Sequence, residues 1–187
     1  MSDSVNLTNH FLIAMPALAD PNFFHTVTYI CEHNEEGAMG LVINRPMDLS
    51  ASELFEQLDL TPVRDELNRR TIFQGGPVHT ERGFVLHRPA TEWEATIMVS
   101  DQIAVTMSHD ILEAIANDAG PAQFLIMLGY AGWGAGQLEE ELAANAWLTG
   151  SADPDIIFNL PAEQCWAASA AHIGIQLDRL SNDIGHA

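Results

Sequence analysis

Apolar positions along the chain fall into short runs of two different periods, and these runs define the elements. Phe11–Met15 is continuously apolar and is stopped by Pro16, which predicts a buried strand. His25–His33 is rich in β-branched and aromatic residues and predicts a second strand. Its period of two places His25, Val27, Tyr29, Cys31 and His33 on one face and Thr26, Thr28, Ile30 and Glu32 on the other. On that parity Cys31 faces the core and Glu32 faces away from it. Asn34-Glu35-Glu36-Gly37 has turn composition, and Met39–Asn44 returns as an apolar strand, so the two strands form a hairpin.

Helical spacing begins at Leu49-Ser50-Ala51-Ser52-Glu53. Ser50 is placed as an N-cap, Glu53 completes a capping box, and Leu49 and Leu54 are set to staple the first turn of a helix reaching about Asp59. Thr61-Pro62 opens a short helix or turn as far as Arg70. Strands follow at Thr71–Gln74 and Gly83–His87, then a hairpin of Thr96–Val99 and Ile103–Met107. Ser108 caps a helix from His109 to about Asn117, and Phe124–Tyr130 reads as a buried strand. The remaining pattern predicts a helix over Gln137–Trp147, a loop at Ser151–Asp155, a short apolar run at Ile156–Phe158 and a helix over Pro161–Ile173. Hairpins outnumber crossovers and helices occur singly. The pattern predicts an α+β fold with a mixed, mostly antiparallel sheet and helices packed around it.

GLVINRP at 40–46 and GFVLHRP at 83–89 share four identical positions, and each is eventually followed by a Ser-capped helix. The echo fits an ancient ββα duplication, or convergence on a common way for a strand to end.

Composition narrows the function. At 187 residues the chain fits one domain, 1–187, with 1–9 and 182–187 read as loose tails. Twenty-six acids oppose seven bases, for a net charge of −19, and every base is Arg. The absence of Lys removes Schiff-base and P-loop lysine chemistry. So acidic a chain is repelled by phosphate backbones and anionic membranes, which argues against direct nucleic-acid binding and against a membrane partner. Two distant cysteines, Cys31 and Cys165, suit a reducing cytosol. The run Phe11–Ala19 lacks the basic flank of a signal peptide, and no window is long enough to span a bilayer. A cytoplasmic protein is expected.

Candidate chemistry concentrates in Tyr29–Pro46. Cys31 with His33 is the one arrangement resembling a nucleophile and its base, although two strand positions separate their β-carbons by roughly 7 Å. Cys31 is read first as a small buried apolar residue and second as a thiol nucleophile or redox sensor. The strand exit at Asn44-Arg45 offers a carboxylate contact through Arg45. Gly129–Gly136 carries four glycines in eight residues between a strand and a helix. It matches no phosphate-binding motif, so it is read as a structural loop with Trp133 available for packing or partner contact. Eight histidines form no HxxxH or Cys/His cluster, so neither a metal nor a cofactor is expected.

Several motifs in order carry a resemblance: LIAMPAL with Asp20-Pro21 and Phe23, VTYICEHNEEGAMGLVINRP, GGPV at 75–78, GFVLH at 83–87, and GYAGWGAGQLEEEL followed by Trp147. Over about residues 8–175 the chain resembles the YqgE/AlgH family of bacterial proteins. The resemblance implies a cytoplasmic α+β domain with a bent mixed sheet folded towards a pseudo-barrel. It implies no established catalytic residue, cofactor or substrate. Part of the family takes its name from a proposed regulatory role in alginate production, and its genes often neighbour a Holliday-junction resolvase-like one. The expectation is a non-enzymatic binding or regulatory protein contacting a protein or small ligand through Asn44, Arg45, Gly132 and Trp133. The alternatives are a thiol enzyme or sensor using Cys31 and His33, and a transcriptional regulator that touches DNA itself.

Overall fold

The computed structural model describes residues 6–18 and 20–177. Among these residues ten strands and six helices follow one another as β1 (His10–Ala14), β2 (Val27–Asn34), β3 (Gly37–Val42), β4 (Pro46–Ser50), α1 (Ala51–Gln57), α2 (Asp65–Asn68), β5 (Thr71–Gln74), β6 (Val78–Arg88), β7 (Thr96–Met98), β8 (Ala104–Thr106), α3 (His109–Ala116), β9 (Gln123–Gly134), α4 (Gln137–Ala143), β10 (Trp147–Ser151), α5 (Pro154–Asn159) and α6 (Ala162–His172). The strands join in the order β10-β1-β2-β3-β9-β6-β8-β7, with β5 attached to β9 and β4 to β5. All pairings are antiparallel except β5 with β9, so the expected mixed, mostly antiparallel sheet is present.

The sheet curls into a half-barrel, and its main core shows why. Phe11 and Ile13 of β1 share a buried cluster with Val105 of β8. Five strand spacings separate those strands in the order, roughly 24 Å in a flat sheet, so only curling can bring the side chains together. β9 is the spine of the curl. Its C-terminal part pairs with β3 while the rest pairs with β6 on one edge and β5 on the other. A second cluster packs α1 and α3 on β5, β6 and β9, and a third packs α4 against β1, β2 and β9. Close backbone approach needs glycine at Gly76, where a β-carbon would lie 2.1 Å from the Tyr130 carbonyl carbon.

Local signals placed α1 and α3 correctly. Glu53 accepts a hydrogen bond from the Ser50 amide at 3.3 Å, and the Asp110 carboxylate takes the Ser108 hydroxyl at 2.6 Å. Elsewhere the pattern misled. The helix expected to reach Trp147 stops at Ala143, because Asn145 adopts a left-handed φ of 59°. Trp147 instead opens β10, which takes up the start of the expected loop, and Ile156–Phe158 lies within α5 rather than standing alone. Of the expected N-terminal tail, residues 1–5 lie outside the described part, as does the C-terminal tail 182–187. Leu7, by contrast, is only 4% exposed and belongs to the third cluster. Among the described residues no helix is long and apolar enough to cross a membrane.

Candidate functional site

The β2–β3 ladder shifts register between Ile30 and Glu32. Ile30 lies opposite Gly40 and Glu32 opposite Met39, so Cys31 is the extra residue of a β-bulge. Directly paired residues share a face, and the bulge therefore reverses the parity of everything beyond it. Cys31 remains with Val27 and Tyr29 in the main cluster. Glu32 joins that inner side opposite Met39, while His33, opposite Ala38, turns to the third cluster. The shared face expected for Cys31 and His33 is corrected here, and the cause is one inserted residue.

Both nitrogens of His33 are engaged. Nδ1 accepts the Leu7 amide at 3.0 Å, so the proton sits on Nε2, which donates to Glu139 Oε1 at 2.6 Å. The Glu139 carboxyl is held below its ordinary range by its own backbone amide and then by His33. Cys31 is 1% exposed, and burial, with the Glu32 charge adding, pushes its thiol far up. A nucleophilic thiol needs the opposite, a positive and accessible setting. Cys165 is likewise buried, its thiol pushed up to about 11 by burial and then by Glu163.

The Asn44-Arg45 exit is occupied with holding strands. The Asn44 amide accepts the Val27 N–H at 2.9 Å and donates to the His25 carbonyl at 3.0 Å. Arg45 donates to the Phe24 carbonyl at 3.3 Å. Beside them the His25 ring is sandwiched between Phe24 and Trp166, with centroids 3.8 Å away on each side, and burial lowers its pKa. A cleft of about 280 Å³ lies there, lined by His25, Arg45, Glu163 and Trp166 among others.

Gly132 and Trp133 do not form the expected loop, since β9 runs through both to Gly134. The two positions face opposite sides of the sheet. Trp133 is 7% exposed and packs with Phe23 and Trp147, and its Nε1 shares Glu141 Oε1 with that of Trp147. Gly132, paired with Met39, lies on the inner side. The surface expected to combine Asn44-Arg45 with Gly132-Trp133 is therefore divided between two separate cavities.

The larger cavity, about 550 Å³, opens at the turn end of the β2–β3 hairpin and falls within the roughly 300–1,000 Å³ of small-ligand sites. Here the main core comes to the surface. Met39, Phe84, Ile97, Met107 and Tyr130 all belong to or pack on that cluster and all line the groove. The rim carries Glu32, Asn34, Glu36 and Arg82, all exposed. No hydrogen bond or ion pair engages the charged groups of Glu32, Glu36 or Arg82 among the described residues. Of the residues singled out from the sequence, Gly132 and Trp133 line this groove, Trp133 with its ring packed on the opposite face. The groove floor comes from β9, from β3 and β6, which pair with β9 along different edges, and from β7, which reaches β6 through β8. No group of three or more His, Cys, Asp or Glu side chains able to hold a metal occurs among the described residues.

The AlgH-like family model matches residues 11–178. A UPF0301 protein of Thioalkalivibrio sulfidiphilus is 57% identical over 187 residues, covering all of both chains. One from Nitrosococcus oceani is 52% identical over 179 residues, 96% of each chain. The solution structure of the AlgH protein from Pseudomonas aeruginosa superposes with a TM-score of 0.80 at 52% identity, over 100% of this chain and 99% of that one. A crystal structure from Corynebacterium diphtheriae, 17% identical with a TM-score of 0.75 over 97% and 94% of the two chains, shares the fold. This chain belongs to the AlgH-like family.

Proposed function

We propose that the protein is a non-enzymatic binding or regulatory protein whose working surface is the groove at the hairpin end of the half-barrel. One observation carries this reading: an apolar core lies open to solvent beneath charged side chains that no partner among the described residues engages. Folding alone gives no reason to leave that floor uncovered, whereas a ligand that covers it gains apolar burial of about 25 cal/mol per Å². Both described cysteines are buried and unpaired, which supports a reducing cytosol as the place where it works. The thiol reading loses support with the separation of Cys31 from His33, and the net charge of −19 weighs against direct DNA contact.

The test is a fragment screen by ligand-observed NMR on wild type and on Gly132→Leu. A β-carbon at Gly132 would lie 3.2 Å from the Tyr130 ring, so leucine there fills the groove at the cost of a movable side chain. Apolar and amphipathic fragments should bind wild type and be lost or weakened at least about tenfold in the variant. Fragments that bind both proteins equally would contradict the reading.

A further inference from the structure

We propose that the occupant of the groove is an extended, basic segment of a partner protein, with an apolar side chain on the floor and flanking Lys or Arg side chains held by Glu32 and Glu36. This rests on the groove being the binding surface, and it adds the chemistry of the partner.

The bulge is the first reason. Without Cys31 as an inserted residue, strand parity would turn Glu32 away from the groove and bring His33 to it. β-bulges are a recognised means of re-aiming a side chain at a functional surface. This one delivers a carboxylate beside a floor of Met39, Phe84 and Tyr130. The second acid, Glu36, stands in the adjoining turn, whose form is fixed by the Asn34 side chain accepting the Glu36 amide at 2.8 Å.

Charge supplies the second reason. Glu32 and Glu36 outnumber Arg82 on the rim, and Glu35 and Glu81 are sequence neighbours of Glu36 and Arg82, so the rim is acidic on balance. It sits in a chain of net charge −19, whose long-range field steers cations towards it and repels a second copy of itself. An extended backbone also answers Arg82, whose guanidinium donates to carbonyl oxygens. The stem of a lysine or arginine is itself apolar and packs against methionines such as Met39 and Met107, whose flexible side chains adapt to different shapes.

The experiment is fluorescence anisotropy with three labelled synthetic peptides on a serine background. One has a central leucine flanked by lysines and arginines, the second replaces those bases with glutamates, and the third with serines. The basic peptide should bind at least about tenfold tighter than the other two. Glu32→Gln with Glu36→Gln should weaken it about tenfold or more, while Glu56→Gln with Glu92→Gln, the same charge change at exposed sites outside the groove lining, should cost less than about twofold. Three results overturn the proposal. Equal binding of the serine peptide, abolished by Gly132→Leu, leaves the groove as the site but removes the basic partner. Equal loss in the two double variants reduces the effect to diffuse surface charge. If the basic peptide does not bind while fragments still occupy the groove, the proposal falls without the groove.

Discussion

The two ends of the β2–β3 hairpin carry similar kinds of side chain and use them in opposite ways. At the strand exit, Asn44 ties two strands together, Arg45 holds the Phe24 carbonyl, and His25 is clasped between two aromatic rings. At the turn end, Glu32, Glu36 and Arg82 face an open groove with no internal partner among the described residues. A residue type capable of chemistry says little until its commitments are known. Polar groups already paired within the fold act in stability, and those left facing an uncovered apolar floor are available for recognition.

Substitutions that break this contrast should do so in order of how much each side chain holds. Trp133→Ala removes a buried member of a three-ring cluster and leaves Glu141 short of one donor. Its cost in urea unfolding should be about 3–5 kcal/mol. Asn44→Ala strands the Val27 N–H and the His25 carbonyl, and should cost about 1–3 kcal/mol. Glu32→Gln with Glu36→Gln, at the other end of the same hairpin, should change stability by less than about 0.5 kcal/mol. If the Asn44 and Glu32/Glu36 variants destabilised equally, the contrast between the ends would fail.

A smaller effect is the pH dependence that a committed, buried histidine confers. His87 is fully buried, with Nδ1 donating to the Pro89 carbonyl at 3.0 Å and Nε2 accepting from the Thr106 hydroxyl at 2.8 Å. Burial lowers its pKa below the ordinary 6.5, outweighing the Pro89 contact. The unfolded chain therefore binds this proton first. The stability associated with His87 is complete above pH 6.5 and is lost as pH falls below it. Unfolding free energies measured between pH 7 and 5 should fall less steeply in His87→Gln than in wild type.

Much of the architecture was legible because it rests on local chemistry. Ser50 with Glu53 and Ser108 with Asp110 mark helix starts, and the alternation of the paired strands marks the sheet. β10 was lost because Trp147 continued the apolar stripe of α4, and nothing in the pattern showed that Asn145 would leave the helix. The bulge was illegible for a different reason: Cys31-Glu32-His33 contains no Gly or Pro, and only the partner strand reveals which residue is extra. That one uncounted residue exchanged the faces of Glu32 and His33 and moved the candidate site. The groove floor was hidden too, since Met39, Phe84 and Tyr130 meet only once β9 has paired with both β3 and β6.

The most direct test is to map backbone amide shifts in a ¹⁵N-correlated NMR titration of the wild-type protein with the basic peptide. The largest changes should fall at Glu32, Ala38, Met39, Arg82, Phe84 and Gly132, with His25, Asn44 and Arg45 unmoved. Largest changes at His25, Asn44 and Arg45, with the groove residues silent, would contradict the assignment of recognition to the hairpin end.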